Sequence, residues 1–146
     1  MRKRVIVAAL MAWPLAAGAQ TAAPEPRAEP VVVESYYRIR WGGMGEFMEL
    51  YRRNHAPVLE AMQARGFITG IEIEQPFTHM AGDQRWDLRV TITYRDADAA
   101  LGPEYGAAAE AEMDRLYTDV AGHTAEEARR FSLVEEHWDV VVEAAD

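Results

Sequence analysis

Residues Arg40 to Val58 read RWGGMGEFMELYRRNHAPV, and how this stretch folds decides how the rest of the chain is arranged. Trp41-Gly42-Gly43 ends an aromatic, β-branched run and reads as a tight turn, because two adjacent glycines break a strand. From Glu46 to Arg65 the apolar residues Phe47, Leu50, Tyr51, Val58, Ala61 and Met62 recur at spacings of three and four. That is one stripe of an amphipathic helix. Pro57 falls inside it, two residues after His55. Proline has no N–H to give the carbonyl of Arg53, and an interior proline costs ~3 kcal/mol unless its surroundings compensate, so the helix is expected to kink there. Gly66 stands where a helix commonly ends on a left-handed residue.

Working outward, Val31 to Trp41 (VVVESYYRIRW) reads as the first strand and Phe67 to Phe77 (FITGIEIEQPF) as the second. Trp86 to Tyr94 (WDLRVTITY) is the clearest strand: Trp86, Leu88, Val90, Ile92 and Tyr94 share one side, and Asp87, Arg89, Thr91 and Thr93 the other. Asp96 is positioned to cap a short helical turn, and Pro103 to open a helix running to about Val120 with Tyr105, Ala109, Met113, Leu116 and Tyr117 on its core side. Thr124 with Glu127 forms a capping-box pattern and predicts a short helix from Ala125. Phe131 to Val142 (FSLVEEHWDVVV) reads as the last strand. The order is βαββαβ, and strands with one apolar and one polar side call for an antiparallel sheet with helices on one face. The expected fold is therefore α+β, a ferredoxin-like plait. The uncovered face carries apolar groups among charges, and such a face invites a homodimer.

The chain opens MRKRVIVAALMAWPLAAGAQ. Basic residues, a short apolar run and Ala17-Gly18-Ala19 predict a signal peptide over 1–19, and hence a periplasmic or secreted protein. Residues 20–30 are rich in proline and alanine and read as a flexible leader, with one domain over 31–146. There is no cysteine, so no disulfide supports the fold. Of the 15 Lys and Arg, three lie at positions 2–4; without residues 1–19 the count is 12 basic against 24 acidic, a formal charge of −12. That excess of acid argues against nucleic acid, and against a stable hold on an anionic membrane once the signal is cut.

The element order, the aromatic first strand and the helix segment YRRNHAPVLEAM together resemble the dimeric α/β-barrel superfamily, in particular its EthD-like and NIPSNAP-like groups and uncharacterised secreted relatives. The EthD-like helix pattern of an aromatic, a histidine, a proline and an aliphatic matches Tyr51, His55, Pro57 and Val58. What the resemblance implies is a homodimer whose sheets form a barrel around a small-molecule pocket. Haem-degrading members of the superfamily carry an asparagine on the first strand, which this chain lacks; its nearest, Asn54, is on the helix.

The candidate residues fall into groups. His55, beside the helix's apolar stripe, is either a hydrogen-bonded packing residue or a base facing a cleft widened by the kink, with Tyr51 one turn earlier. Asp87, Arg89, Glu135, His137 and Asp139 alternate along their strands and, with Arg38 and Arg40 between them, are expected to face one inter-subunit cavity as an ion-pair network or a polar pocket. Candidate catalytic residues are thus His55, Arg89 and His137; candidate ligand-binding residues are Tyr51, Asp87, Arg38, Arg40 and the loop residue His79. His137 and Asp139 alone make no metal motif, and neither metal nor cofactor is expected. The expected function is a periplasmic small-molecule-binding or stress-associated module. The alternative is a cofactor-independent enzyme, monooxygenase-like or isomerase-like, acting on a small aromatic or apolar molecule. A third reading is a purely structural dimer with Tyr51, His55 and Trp138 packing the cleft shut.

Overall fold

The computed structural model describes residues 29–78 and 80–143; the expected signal peptide, nearly all of the leader, and His79 lie outside them. The elements are β1 (Val31–Ile39), α1 (Met44–Asn54), α2 (Ala56–Ala64), β2 (Ile68–Glu74), β3 (Leu88–Tyr94), α3 (Ala97–Leu101), α4 (Pro103–Leu116), α5 (Val120–Ser132) and β4 (Val134–Val142). The four strands form one antiparallel sheet in the order β2-β3-β1-β4. This is the ferredoxin-like plait expected from the order of elements.

The barrel that the resemblance implied is not what the chain forms. Its sheet is open, with β2 at one edge and β4 at the other, each paired along one side. Closure requires strands tilted and staggered until the two edges meet, and about eight strands are needed to enclose an interior that side chains can fill. Four strands twist without closing.

Register assigns the two faces of the sheet. Tyr37 pairs with Leu88 on one side and His137 on the other, while Tyr36 pairs with Arg89 and Trp138. Opposed residues in an antiparallel pair point the same way. The face of Tyr37, Ile39, Leu88, Val90 and Ile92 is covered by helices, and these side chains form the core with Phe47, Leu50, Tyr51, Val58, Leu59 and Met62. The face of Glu34, Tyr36, Arg38, Arg89 and Trp138 has no helix over it. Helix α2 packs against β2 and α4, and α5 packs against α1 and β4.

The kink at Pro57 is a full break. His55 closes α1 by donating its N–H to Tyr51 O at 2.9 Å, and α2 restarts at Ala56. The carbonyls set free there are taken up by a side chain: the Tyr117 hydroxyl donates to Asn54 O at 2.8 Å and lies 3.3 Å from Arg53 O. Gly66 has φ +79°, the left-handed conformation that ends α2. Helix α5 differs from expectation at both ends. Asp119, not Thr124, caps it, accepting from the Gly122 N–H at 3.0 Å, and Thr124 donates back to Val120 O. At its far end the helix continues through Phe131 and Ser132, which the sequence reading assigned to the last strand.

Candidate functional site

A set of polar groups lies between the end of the first helix, α5 and the sheet. Tyr51, in the last turn of α1, is fully buried, and its ring lies 6.1 Å from that of Phe47 and 5.1 Å from that of His55. Across from them on β1, Tyr37 packs on Phe47 at 5.5 Å and stacks on His137 of β4 at 4.2 Å. From α5, Arg130 enters the same layer. It is 2% exposed, and its guanidinium carbon stands 5.7 Å from the Phe47 ring and 5.9 Å from the Tyr51 ring. Glu127, one turn earlier on α5, holds it in a two-pronged pair, Nε to Oε1 at 2.9 Å and Nη2 to Oε2 at 2.6 Å.

Two donors of this cluster are left without a partner: the Tyr51 hydroxyl and Arg130 Nη1, both buried. Among the described residues the other such atom is Nε2 of His123, apart from this cluster in a stack on Tyr117. Buried polar groups are almost always paired, so two orphans on neighbouring side chains mark the place as unusual. Tyr51 also contributes to the wall of a cavity of about 250 Å³ between α2 and β2, with Ala56, Leu59, Glu60, Gln63, Ile71 and Ile73. Its walls are polar and apolar in about equal measure.

The cluster's electrostatics follow from burial. Burial disfavours the charged imidazole of His55 and Arg130 adds repulsion, against a smaller pull from Glu127, so its pKa drops to about 4. His55 is neutral at pH 7, able to accept a proton but holding one weakly. Burial pushes the hydroxyls of Tyr51 and Tyr37 up, so both remain protonated donors.

The other residues singled out from the sequence are distributed over both faces of the sheet and the end of β1. His137 shares the helix-covered face with Tyr37, and Asp139 sits 3.4 Å from His137. Arg89 is on the opposite face, paired with Glu74 and with Glu34 at 3.4 Å and standing over the Trp86 ring. It therefore cannot act with His55 on one ligand in one protomer. Asp87 and Arg38 work at the end of β1. The Asp87 carboxylate accepts the Ile39 N–H at 2.8 Å and pairs with the buried Arg85 at 2.7 Å, while Arg85 also donates to the Ile39 carbonyl and lies 4.4 Å from the Trp41 ring. Arg38 donates to the carbonyls of Asp83 and Arg85 and pairs with Glu136 at 3.0 Å. Together they fasten the β2–β3 loop to the sheet. Glu135 reaches this group at 3.6 Å from Arg85, and Arg40 is exposed beside it. A second cavity of about 230 Å³ lies here, walled by Trp41, Met44, Phe77 and Trp86 among others.

Of the candidates, then, Tyr51, His55 and His137 come together. Tyr37, Glu127 and Arg130 complete the group and were not singled out from the sequence. A signal was present: His123, Glu127 and Arg130 recur at spacings of four and three and precede the buried Leu133, which is the inward stripe of a helix that begins at Val120. Starting the helix at Ala125 and ending it before Phe131 hid that stripe.

Fold and site together define a ferredoxin-like α+β domain with a polar cluster enclosed between its helices and its sheet. No protein-family model matches the chain, and no curated protein matches it. Solved structures similar to it include a NIPSNAP family protein from Agrobacterium tumefaciens, at 20% identity over 82% of this chain and 89% of that one, TM-score 0.48. An ethyl tert-butyl ether D (EthD) family protein from Bacillus halodurans matches at 12% identity over 80% and 100%, TM-score 0.47. SnoaB, a cofactor-independent oxygenase from Streptomyces nogalater, matches at 13% over 82% and 96%, TM-score 0.45. At these values the likeness does not bear on what this chain binds or does.

Proposed function

We propose that the protein is a periplasmic small-molecule-binding module that holds an aromatic or apolar ligand between its helices and its sheet at Tyr51, and that it works as a homodimer. The observation that carries the binding site is the buried, unpartnered Tyr51 hydroxyl on a residue that walls a cavity together with Leu59, Glu60, Gln63, Ile71 and Ile73. A ligand that gives this hydroxyl an acceptor removes a penalty of roughly 1–3 kcal/mol. The dimer rests on the uncovered sheet face. Tyr36 stacks on Trp138 at 5.4 Å and meets Trp86 edge-on at 5.7 Å, and Val140 is 42% exposed beside them. Aromatic groups are enriched at the centre of protein interfaces and polar groups at the rim.

A cofactor-independent enzyme at the same cluster is the second reading, favoured by a neutral imidazole next to a buried hydroxyl. It is the weaker one. A general base works best with a pKa near the working pH, and His55 lies about three units below neutrality.

Native mass spectrometry of protein taken from the periplasm tests the proposal. A dimer carrying extra mass, lost on Tyr51→Phe, is the expected result. A clean monomer that takes up no aromatic compound refutes it.

A further inference from the structure

The cavity of about 230 Å³ at the end of β1 is apart from Tyr51 and has its own chemistry. It is walled by Arg40, Trp41, Met44, Phe77, Trp86 and the buried Arg85, among others. Its frame is held in place. Arg85 donates to both oxygens of Asp87 and to the Ile39 carbonyl, lies 3.6 Å from Glu135, and stands 4.4 Å from the Trp41 ring. The indole of Trp41 thus rests on a fixed guanidinium, yet Trp41 is 73% exposed and Phe77 fully so. Aromatic side chains left in water at the wall of a cavity offer apolar area and a flat surface on which a ring can stack.

Charge selects among such rings. The charged residues in the wall are two cations, Arg40 and Arg85, and one anion, Asp87. Arg85 and Asp87 are engaged with each other, so Arg40 leaves the wall with a positive balance in a chain whose net charge is −9. Among the described residues every other arginine except Arg52 is in an ion pair with a carboxylate; Arg40 has none within ion-pair distance. Helix α1 also begins at this wall, at Met44, with no side chain capping it, and the Glu46 of its first turn is held by Arg129. The positive end of the helix adds to the preference for an anion. We propose that this cavity binds a small aromatic carboxylate, its ring stacked on Trp41 and its carboxylate at the Arg40 guanidinium, the planar fork that suits such a group.

Benzoate, benzylamine and cyclohexanecarboxylate are nearly equal in size and separate charge from ring. Each is titrated into the intact protein at low ionic strength and followed by two-dimensional amide NMR, with the indole N–H signals of Trp41 and Trp86 as reporters. Benzoate is expected to bind at least fivefold more tightly than either of the others. Arg40→Gln should erase its lead over benzylamine and keep its lead over cyclohexanecarboxylate; Trp41→Leu, followed at Trp86, should do the reverse. Benzylamine matching benzoate on the wild-type protein overturns the proposal, because the charge then selects nothing. Cyclohexanecarboxylate matching benzoate overturns it too, because the ring then selects nothing. Benzoate shifts confined to residues around Tyr51 and Leu59 also overturn it and leave the Tyr51 site standing. No shift at either indole with any probe overturns it outright, and loss of the dimer in Trp41→Leu by sedimentation velocity would then assign the exposed rings to the homodimer interface. The wild-type comparison decides the matter even where a variant does not fold.

Discussion

Protonating His55 should destabilise the protein over a defined range of acid. Its pKa is lowered to about 4 in the folded chain, first by burial and then by Arg130, against an ordinary value of about 6.5 when unfolded. Between these two values the unfolded chain takes up a proton that the folded chain refuses, so stability falls as the pH falls. The contribution is fully present above about pH 6.5. By linkage, about 2 kcal/mol of it is gone at pH 5 and about 3 kcal/mol at pH 4. Acidic groups titrate over part of the same range, so the measurement is a difference: urea unfolding of the wild type and of His55→Gln, at one protein concentration, in half-unit steps from pH 7.5 to 4. The two stability curves should converge by about 2 kcal/mol between pH 7 and pH 5. Parallel curves, or an imidazole proton resonance that titrates near 6.5 in the folded protein, would refute the claim that His55 is enclosed with Arg130.

Three further outcomes follow from the contacts. Tyr51→Phe removes an unpaired buried hydroxyl, so the ligand-free variant should be as stable as wild type or more stable by up to about 1 kcal/mol; a clear loss in thermal unfolding means the hydroxyl has a partner after all. Asp87→Ala strips the main carboxylate from buried Arg85 and should cost about 3 kcal/mol in chemical denaturation, with the β2–β3 loop opening to proteolysis. Trp138→Arg puts a charge at the centre of the uncovered face and should convert dimer to monomer in sedimentation velocity without loss of helical circular dichroism; an unchanged mass rules that face out as the interface.

How much of this was legible depended on whether a pattern had one physical cause or two. Strand β3 alternates cleanly because one face is core and the other is not, and Leu88, Val90 and Ile92 are all buried as read. The first helix and its interruption were legible because Pro57 can do only one thing to a hydrogen-bond ladder. Strand β4 misled. Its helix-facing positions include His137, Asp139 and Val141, yet Val141 is 66% exposed, because no helix covers that end of the strand. Polarity there reports missing cover rather than an outward direction, so His137 was paired with Arg89, which is on the other face. Phe131 and Ser132 were read as strand because their composition suits one, but the helical cap at Asp119 set a register that carried α5 past them. Arg130 was missed for the same reason.

The two faces of the sheet handle polarity in opposite ways, and that contrast is the strongest argument for dividing the protein's roles between them. On the uncovered face most charged groups are satisfied within the chain: Arg89 by Glu74 and Glu34, Arg38 by Glu136, and the Tyr36 hydroxyl by Glu34, with Glu72 left facing solvent. Covering paired charges with a second protein costs less than covering unpaired ones, and the stacked rings of Tyr36 and Trp138 gain from the burial. Under the helices the reverse holds. There the polar groups are deepest, and Tyr51 and Arg130 have donors unused. A core that was shaped only for packing would carry phenylalanine and leucine at those two positions and be more stable for it. Hydrogen-bonding capacity kept where it weakens the ligand-free fold makes sense when something other than the chain supplies the acceptor.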